Sequence, residues 1–215
     1  MAGMIDQSIK RCLGQMAEGV QVVSSAEGET VRAYTSHWVS QVSFPEPIVM
    51  ASVSPAHDTW PLINSTRRFA VSLLAGDQVE QGQWFSYPGR RFERLIEDYL
   101  EPVTNQSGAS ADSSNPWWVI RGCIAWLGCE VLSIEATAGP DGPPLDHRLV
   151  FARVVEVGEG RTREPPLVYS SRQGWRIAAD KARTTEGGSV RDRLLARVDA
   201  IRAASGAPPL EPGDD

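Results

Sequence analysis

The chain has 215 residues and a net charge of −6, with 41% hydrophobic and 22% charged residues, which suits one large globular domain. A domain of this size buries enough surface to fold without disulfides or a structural metal. No dense run of Lys and Arg tracks a phosphate backbone, which disfavours nucleic acid, and no apolar stretch nears the ~20 residues of a membrane span.

The three cysteines, Cys12, Cys123 and Cys129, form no CxxC pair and no Cys/His cluster, so no metal is expected. Cys123 and Cys129 fall in one strand-like run, six residues apart, and are expected on one face as buried, inert thiols. Such thiols indicate a reducing compartment. The N-terminus has neither a basic segment nor a signal-type apolar core, so a cytoplasmic protein is expected.

In chain order, Asp6 is a candidate cap for a first helix, on which Ile9, Cys12, Leu13 and Met16 recur at helical spacing. A hairpin follows: a strand at Val20–Val23, a turn at Glu27-Gly-Glu, and a strand at Thr30–Ser36. Ile48–Val53 is almost wholly apolar and reads as a strand buried on both faces. His57-Asp58-Thr59 opens a short helix, capped by Asp58 or Thr59, and Phe69–Leu74 is the next strand. Short helices are expected over Gln78–Phe85 and Phe92–Leu100, and a surface loop over residues 103–116. Two long strands, Val119–Ile134 and His147–Val157, flank the turn-rich Gly139-Pro-Asp-Gly-Pro-Pro. A last hairpin turns at Gln173-Gly174. Ser189 caps a final helix with Val190, Leu194, Val198 and Ile201 on one side, serving as packing or dimer contact. The acidic, Pro-rich residues 206–215 are expected to be disordered. Short strands with a few outlying helices point to a closed or partly closed barrel.

The motifs exclude several chemistries. There is no GxSxG elbow, HExxH, P-loop or EF-hand loop. Gly158-Glu-Gly160 begins a dinucleotide fingerprint but lacks its third Gly. A bound redox cofactor remains attractive, since it asks few catalytic side chains of the protein.

Four stretches, in order and spacing, resemble the flavin reductase-like, FMN-binding split-barrel family, which includes the small reductase components of two-component flavin monooxygenases. They are Gly19-Val-Gln-Val-Val-Ser-Ser; Ala33-Tyr-Thr-Ser-His-Trp-Val-Ser-Gln-Val-Ser-Phe-Pro-Glu-Pro-Ile-Val-Met-Ala-Ser-Val; Asp58-Thr-Trp-Pro-Leu-Ile-Asn-Ser-Thr-Arg-Arg-Phe-Ala-Val-Ser-Leu-Leu with Gln78 and Phe85; and Ala125–Val131 through Asp146-His147 to Phe151–Val157 and Pro166-Leu-Val-Tyr. The likeness covers residues 9–177.

The resemblance implies a mainly β fold, a six-stranded antiparallel split β-barrel, which sets the domain at residues 1–180; the helix read above falls in residues 181–205. It also implies a homodimer, FMN or FAD as cofactor, and NADH or NADPH as co-substrate. A partner monooxygenase would receive the reduced flavin. Thr35, Ser36, His37 and Trp38 match the strand end along the flavin ring, with Trp38 as an aromatic wall, and Ser40, Val42 and Ser43 match the loop after it. Ser52 and Thr59 match the ribityl-phosphate side, where Arg67 or Arg68 would add charge. Asp146 and His147 match the segment near the nicotinamide, with His147 in the catalytic place. Three departures stand out: His37 replaces the family's usual Asn, Trp38 its next Ser, and Leu145 the Gly before Asp146. A Trp facing the flavin narrows the nicotinamide pocket. Two other readings stay open: a flavoenzyme of this fold that keeps its flavin for a biosynthetic substrate, and a non-catalytic flavin or haem binder. His37 and His147 also have plain surface readings, and His57 reads as a solvated turn residue. Trp117 and Trp118 read as packing for the barrel or a dimer.

Overall fold

The structure, a computed structural model, describes residues 7–87, 96–104, 115–178 and 190–206. Helix α1 (Gln7–Leu13) leads into a two-residue strand β1 (Glu18–Gly19). The hairpin β2 (Gln21–Glu27) and β3 (Thr30–Ser36) turns at Gly28, whose φ of +59° suits a residue without a Cβ. Next come β4 (Val39–Ser43), β5 (Ile48–Val53), α2 (Thr59–Thr66), β6 (Arg68–Leu73) and α3 (Val79–Trp84). Then follow α4 (Ile96–Tyr99), β7 (Leu100–Val103), β8 (Trp117–Ile120), β9 (Ala125–Thr137), β10 (Pro144–Glu159), β11 (Leu167–Ser170), β12 (Gly174–Ile177) and α5 (Val190–Ala204).

The main sheet is antiparallel, in the order β3-β2-β6-β9-β10-β5-β4. Smaller sheets are β1-β11-β12 and β7-β8. The expectation of a mainly β, antiparallel fold holds. The main sheet has seven strands rather than six, and among the described residues no ladder joins β3 to β4. The sheet nevertheless wraps. Val23 of β2, Tyr34 of β3, Phe69 of β6, Cys129 of β9, Val150 of β10 and Ala51 of β5 share one buried cluster, closed at one end by Ile63 of α2. Burying that surface is the main drive to curl the sheet. Bulges in the β9–β10 ladder let it bend. Across the opening the Tyr34 hydroxyl donates to the Ser52 carbonyl at 3.3 Å, so a side chain bridges what a ladder does not.

A second cluster lies on the other side of the sheet. Val20, Val22, Leu74, Trp84, Leu100, Ile120 and Leu167 pack there with Leu194 and Val198 of α5. The closing helix therefore packs on its own chain through the residues its periodicity picks out. Arg197 fastens it by contacts to Glu80 at 3.4 Å and Asp98 at 3.2 Å.

Several local expectations need correction. The single strand expected over Val119–Ile134 is two strands, β8 and β9, separated by a turn in which Gly122 has φ +65°. Cys123 therefore sits in that turn and not beside Cys129 on one strand face. Both thiols are buried, and burial pushes them up to about 11 and about 12. Strand β5 is not buried alike on its two sides: Val49, Ala51 and Val53 enter the core, while Met50 and Ser52 face a cleft. The helix expected over Phe92–Leu100 ends at Tyr99, because Leu100 already pairs with Ile120, and residues 92–95 lie outside the described residues. Asp58 occupies the N-cap place of α2 without a side-chain capping bond. The expected caps Asp6 and Ser189, and the tail beyond Gly206, lie outside the described residues. No described helix is long and apolar enough to cross a membrane.

Trp117 shows why β9 carries a glycine. A Cβ on Gly128 would lie 2.5 Å from the Trp117 ring. That ring cannot move aside: its indole N–H donates to Glu156 at 2.6 Å, and the Arg68 guanidinium covers it at 3.9 Å. Gly128→Val is expected to cost about 2–3 kcal/mol by overpacking, read as a lower denaturant midpoint at unchanged m-value.

Candidate functional site

An open cleft of about 450 Å³ lies where β1, the β3–β4 connection, β5 and β10 meet. Its floor is set by strand period and register. Met50 and Ser52 point the same way along β5, Ser40 pairs with Met50 across β4, and Leu149 of β10 pairs with Ser52. Its walls are His37, Trp38 and Val39 on one side and Ala17, Glu18 and Gly19 on the other. Ser36 accepts the Trp38 backbone N–H at 3.1 Å, and Ser52 N–H donates to the Trp38 carbonyl at 2.9 Å. These bonds pin the irregular link against β5.

His37 is held from behind by aromatic residues. Its ring stacks on Tyr169 of β11 at 4.3 Å and 12°, and meets Trp175 of β12 edge-on at 6.0 Å. Trp175 itself abuts Gly82 of α3, where a Cβ would lie 2.7 Å from the indole. The His37 Nδ1 is buried and has no hydrogen-bond partner. An unpaired buried polar atom is costly in a finished core and normal in a site that awaits a ligand.

Trp38 is half exposed and makes two contacts. Its indole lies beside the Glu18 carboxylate, and its ring meets His147 edge-on at 5.2 Å. Burial raises the Glu18 pKa, and the neighbouring Trp38 indole partly offsets this. His147 Nδ1 lies 3.1 Å from Asp146 Oδ1. That hydrogen bond is the main reason the exposed Asp146 titrates below the usual carboxylate range. His147 also lies near His57, which stacks on Tyr34 at 4.8 Å and 21°. His57 is thus half-buried against an aromatic ring and not a solvated turn residue.

The expected site residues divide into groups. His37, Trp38, Ser40 and Ser52 line the cleft together, His147 meets the Trp38 ring at the rim, and Asp146 stands behind His147, exposed. Thr35 and Ser36 are outside the lining: the Thr35 hydroxyl donates to the Gly82 carbonyl at 2.6 Å, and the Ser36 hydroxyl accepts from the Trp38 N–H. Thr59 is buried at the start of α2, away from the lining. Val42 and Ser43 stand beyond the lining, where a register shift in the β4–β5 ladder leaves Val42 half exposed. Arg67 and Arg68 do not reach Thr59's end of α2. Eight helical residues carry them about 12 Å along, and Arg68 turns to Trp117. Among the described residues no group of three His, Cys, Asp or Glu could hold a metal.

Sequence reading missed Glu18, Met50, Leu149, Tyr169 and Trp175. Period-2 alternation in β5 was a usable signal for Met50. The β1–β11 pairing that sets Glu18 beside Tyr169 joins residues some 150 apart and leaves no local trace.

Residues 13–176 match the flavin reductase like domain family. The chain belongs to that family. Two curated relatives are similar over most of this flavin reductase-like chain. One is the 4-hydroxyphenylacetate 3-monooxygenase reductase component of Thermus thermophilus, 29% identical over 166 residues, spanning 77% of this chain and 93% of the relative. The other is an NADH-dependent flavin reductase of a Rhodococcus species, 26% identical over 165 residues, 73% of this chain and 81% of the relative. Among solved structures, the NADH:FAD oxidoreductase SgcE6 of Streptomyces globisporus C-1027 superposes with a TM-score of 0.62 at 21% identity. That match covers 82% of this chain and 98% of SgcE6, and supports the same fold.

The histidines give a pH dependence to the stability of this domain. Burial lowers the pKa of His37. It also lowers that of His57, where nearby His147 adds to the effect and Asp58 opposes it. As pH falls through about 6.5, the unfolded chain takes up these protons first. Stability that depends on the neutral rings is therefore present above that pH and lost as pH falls toward the folded values. The thermal midpoint is expected to drop from about pH 7 to about pH 5, and to drop less in a His37→Asn/His57→Asn double variant.

Proposed function

We propose that this protein is an NAD(P)H-dependent flavin reductase that holds the ring of FMN or FAD in the His37–Ser40 cleft. The observation that carries the reading is the cleft itself. It combines ring-sized volume, an apolar Met50–Leu149 floor, and the polar Ser40 and Ser52 beside the His37 and Trp38 rings. When bound, the flavin supplies the chemistry, accepting reducing equivalents from NADH or NADPH.

The chain's own residues bind and orient. His37, kept neutral by burial and clamped by Tyr169, stands as a fixed part of the cleft wall. The hydroxyls of Ser40 and Ser52 supply further polar contacts, and Thr35 and Ser36 hold the strand end rigid behind them. Trp38 forms an aromatic wall and excludes water at the rim. Asp146 accepts the Nδ1–H of His147, which leaves Nε2 as an acceptor toward the nicotinamide side. His147 therefore takes the catalytic place, and the contribution asked of it is orientation.

The likeness to a monooxygenase reductase component supports delivery of reduced flavin to a partner monooxygenase. Exposed apolar side chains support a homodimer: Val42 and Phe44 at the end of β4, Leu132 of β9, and Val155 and Val157 of β10. The test is oxidation of NADH and NADPH by catalytic amounts of pure protein with excess FMN or FAD in air. Many turnovers per protein support a reductase. Tight flavin without nicotinamide oxidation supports the rival flavoenzyme, a reading favoured by the bulky Trp38 ring in the cleft wall.

A further inference from the structure

A second cleft, of about 460 Å³, opens between α1 and the β11–β12 turn. Lys10, Arg11 and Arg172 line it, with Ser171, Gln7 and Gln15, and no carboxylate is in its lining. The three cations make no ion pair with any described residue. The two sides of the cleft are bound to each other. Arg172 N–H donates to the Gly14 carbonyl at 3.2 Å, and a Cβ at Gly14 would lie 2.5 Å from the Ser171 hydroxyl. The cations are thus set on a fastened corner of the fold, in a chain whose net charge is −6.

This corner lies beside the ring cleft. Gln15 borders one and Ala17 the other, two residues apart and so within roughly 7 Å. On the facing strand, Ser171 lies two residues beyond Tyr169, which pairs with Glu18 and stacks on His37. The two clefts also differ in charge. The ring cleft is lined by Glu18 and by no Lys or Arg, so it cannot neutralise a diphosphate. The adjoining cleft offers two guanidinium groups, an ammonium, two amides and a hydroxyl, a donor set suited to phosphate oxygens.

We propose that the Lys10–Arg11–Arg172 cleft binds the diphosphate-bearing half of a dinucleotide whose ring lies in the His37–Ser40 cleft. The proposal rests on the flavin reading of the ring cleft. The shared chemistry is a nucleotide diphosphate, which either FAD or the nicotinamide dinucleotide carries.

The test compares the full wild-type chain with Lys10→Glu/Arg172→Glu, both positions exposed and outside the core. Dissociation constants are measured for FAD and FMN. KM is measured for NADH and for reduced nicotinamide mononucleotide, with FMN as acceptor. The expected result is at least a tenfold loss for one dinucleotide and a clearly smaller loss for its mononucleotide, which carries only the proximal phosphate. Loss confined to FAD assigns the cleft to the flavin, and loss confined to NADH assigns it to the nicotinamide. Unchanged values for all four, or equal losses in both members of each pair, overturn the proposal while leaving the ring cleft intact. A wild-type chain that binds neither FMN nor FAD overturns the flavin reading, and this proposal with it.

Discussion

Ser40→Trp is expected to weaken FMN binding at least a hundredfold, about 3 kcal/mol. Ser40 is exposed on β4, opposite Met50, so an indole there costs the fold little and projects over the cleft floor. A ring system cannot share that space with it. Val42→Trp is the control: it adds the same side chain two residues along, outside the lining, and FMN affinity is expected to stay within about twofold. Quenching of flavin fluorescence on titration reads both. An unchanged Ser40→Trp affinity would move the flavin elsewhere on the molecule.

His147→Ala is expected to lower kcat/KM for NADH about thirty- to hundredfold, roughly 2–3 kcal/mol of transition-state stabilisation, with FMN affinity within about twofold. The side chain meets the Trp38 ring at the rim, and its hydrogen bond to Asp146 fixes which nitrogen faces outward. Asp146→Asn is expected to show a smaller loss of the same kind, because it leaves the imidazole in place while weakening its orientation. A fall in FMN affinity that matches the fall in kcat/KM would instead place His147 against the flavin. No change in either would return it to a plain strand residue.

The parts of the fold that were legible in the sequence are those written in local patterns. The β2–β3 hairpin shows in its apolar strands around Gly28. The face of α5 that packs shows in the spacing of Leu194 and Val198. What the sequence did not disclose depends on partners far along the chain. Gly122 looks like any strand glycine until its positive φ breaks β8 from β9 and takes Cys123 off the strand. The wrapping of seven strands, closed by Tyr34 reaching Ser52, follows from one shared core and not from any segment. Of the Thr35–Ser43 and Ser52–Thr59 segments expected to converge, His37, Trp38, Ser40 and Ser52 share the cleft, whereas Thr35, Val42, Ser43 and Thr59 stand outside its lining. Glu18 and Tyr169 were not legible, since the short β1–β11 pairing brings them there. The three departures from the family pattern carry physical content. His37 sets a neutral imidazole at the cleft wall, Trp38 places an indole beside Glu18 and His147, and the Arg148 guanidinium donates to the Leu145 carbonyl at 2.8 Å.

A crystal structure of the protein soaked with FMN tests the central claim most directly. The isoalloxazine ring is predicted to lie over Met50, Ser52 and Leu149 with one edge against the His37–Ser40 wall. FMN seated on another face, or a cleft closed by Trp38 with no flavin in it at saturating concentration, would contradict the account.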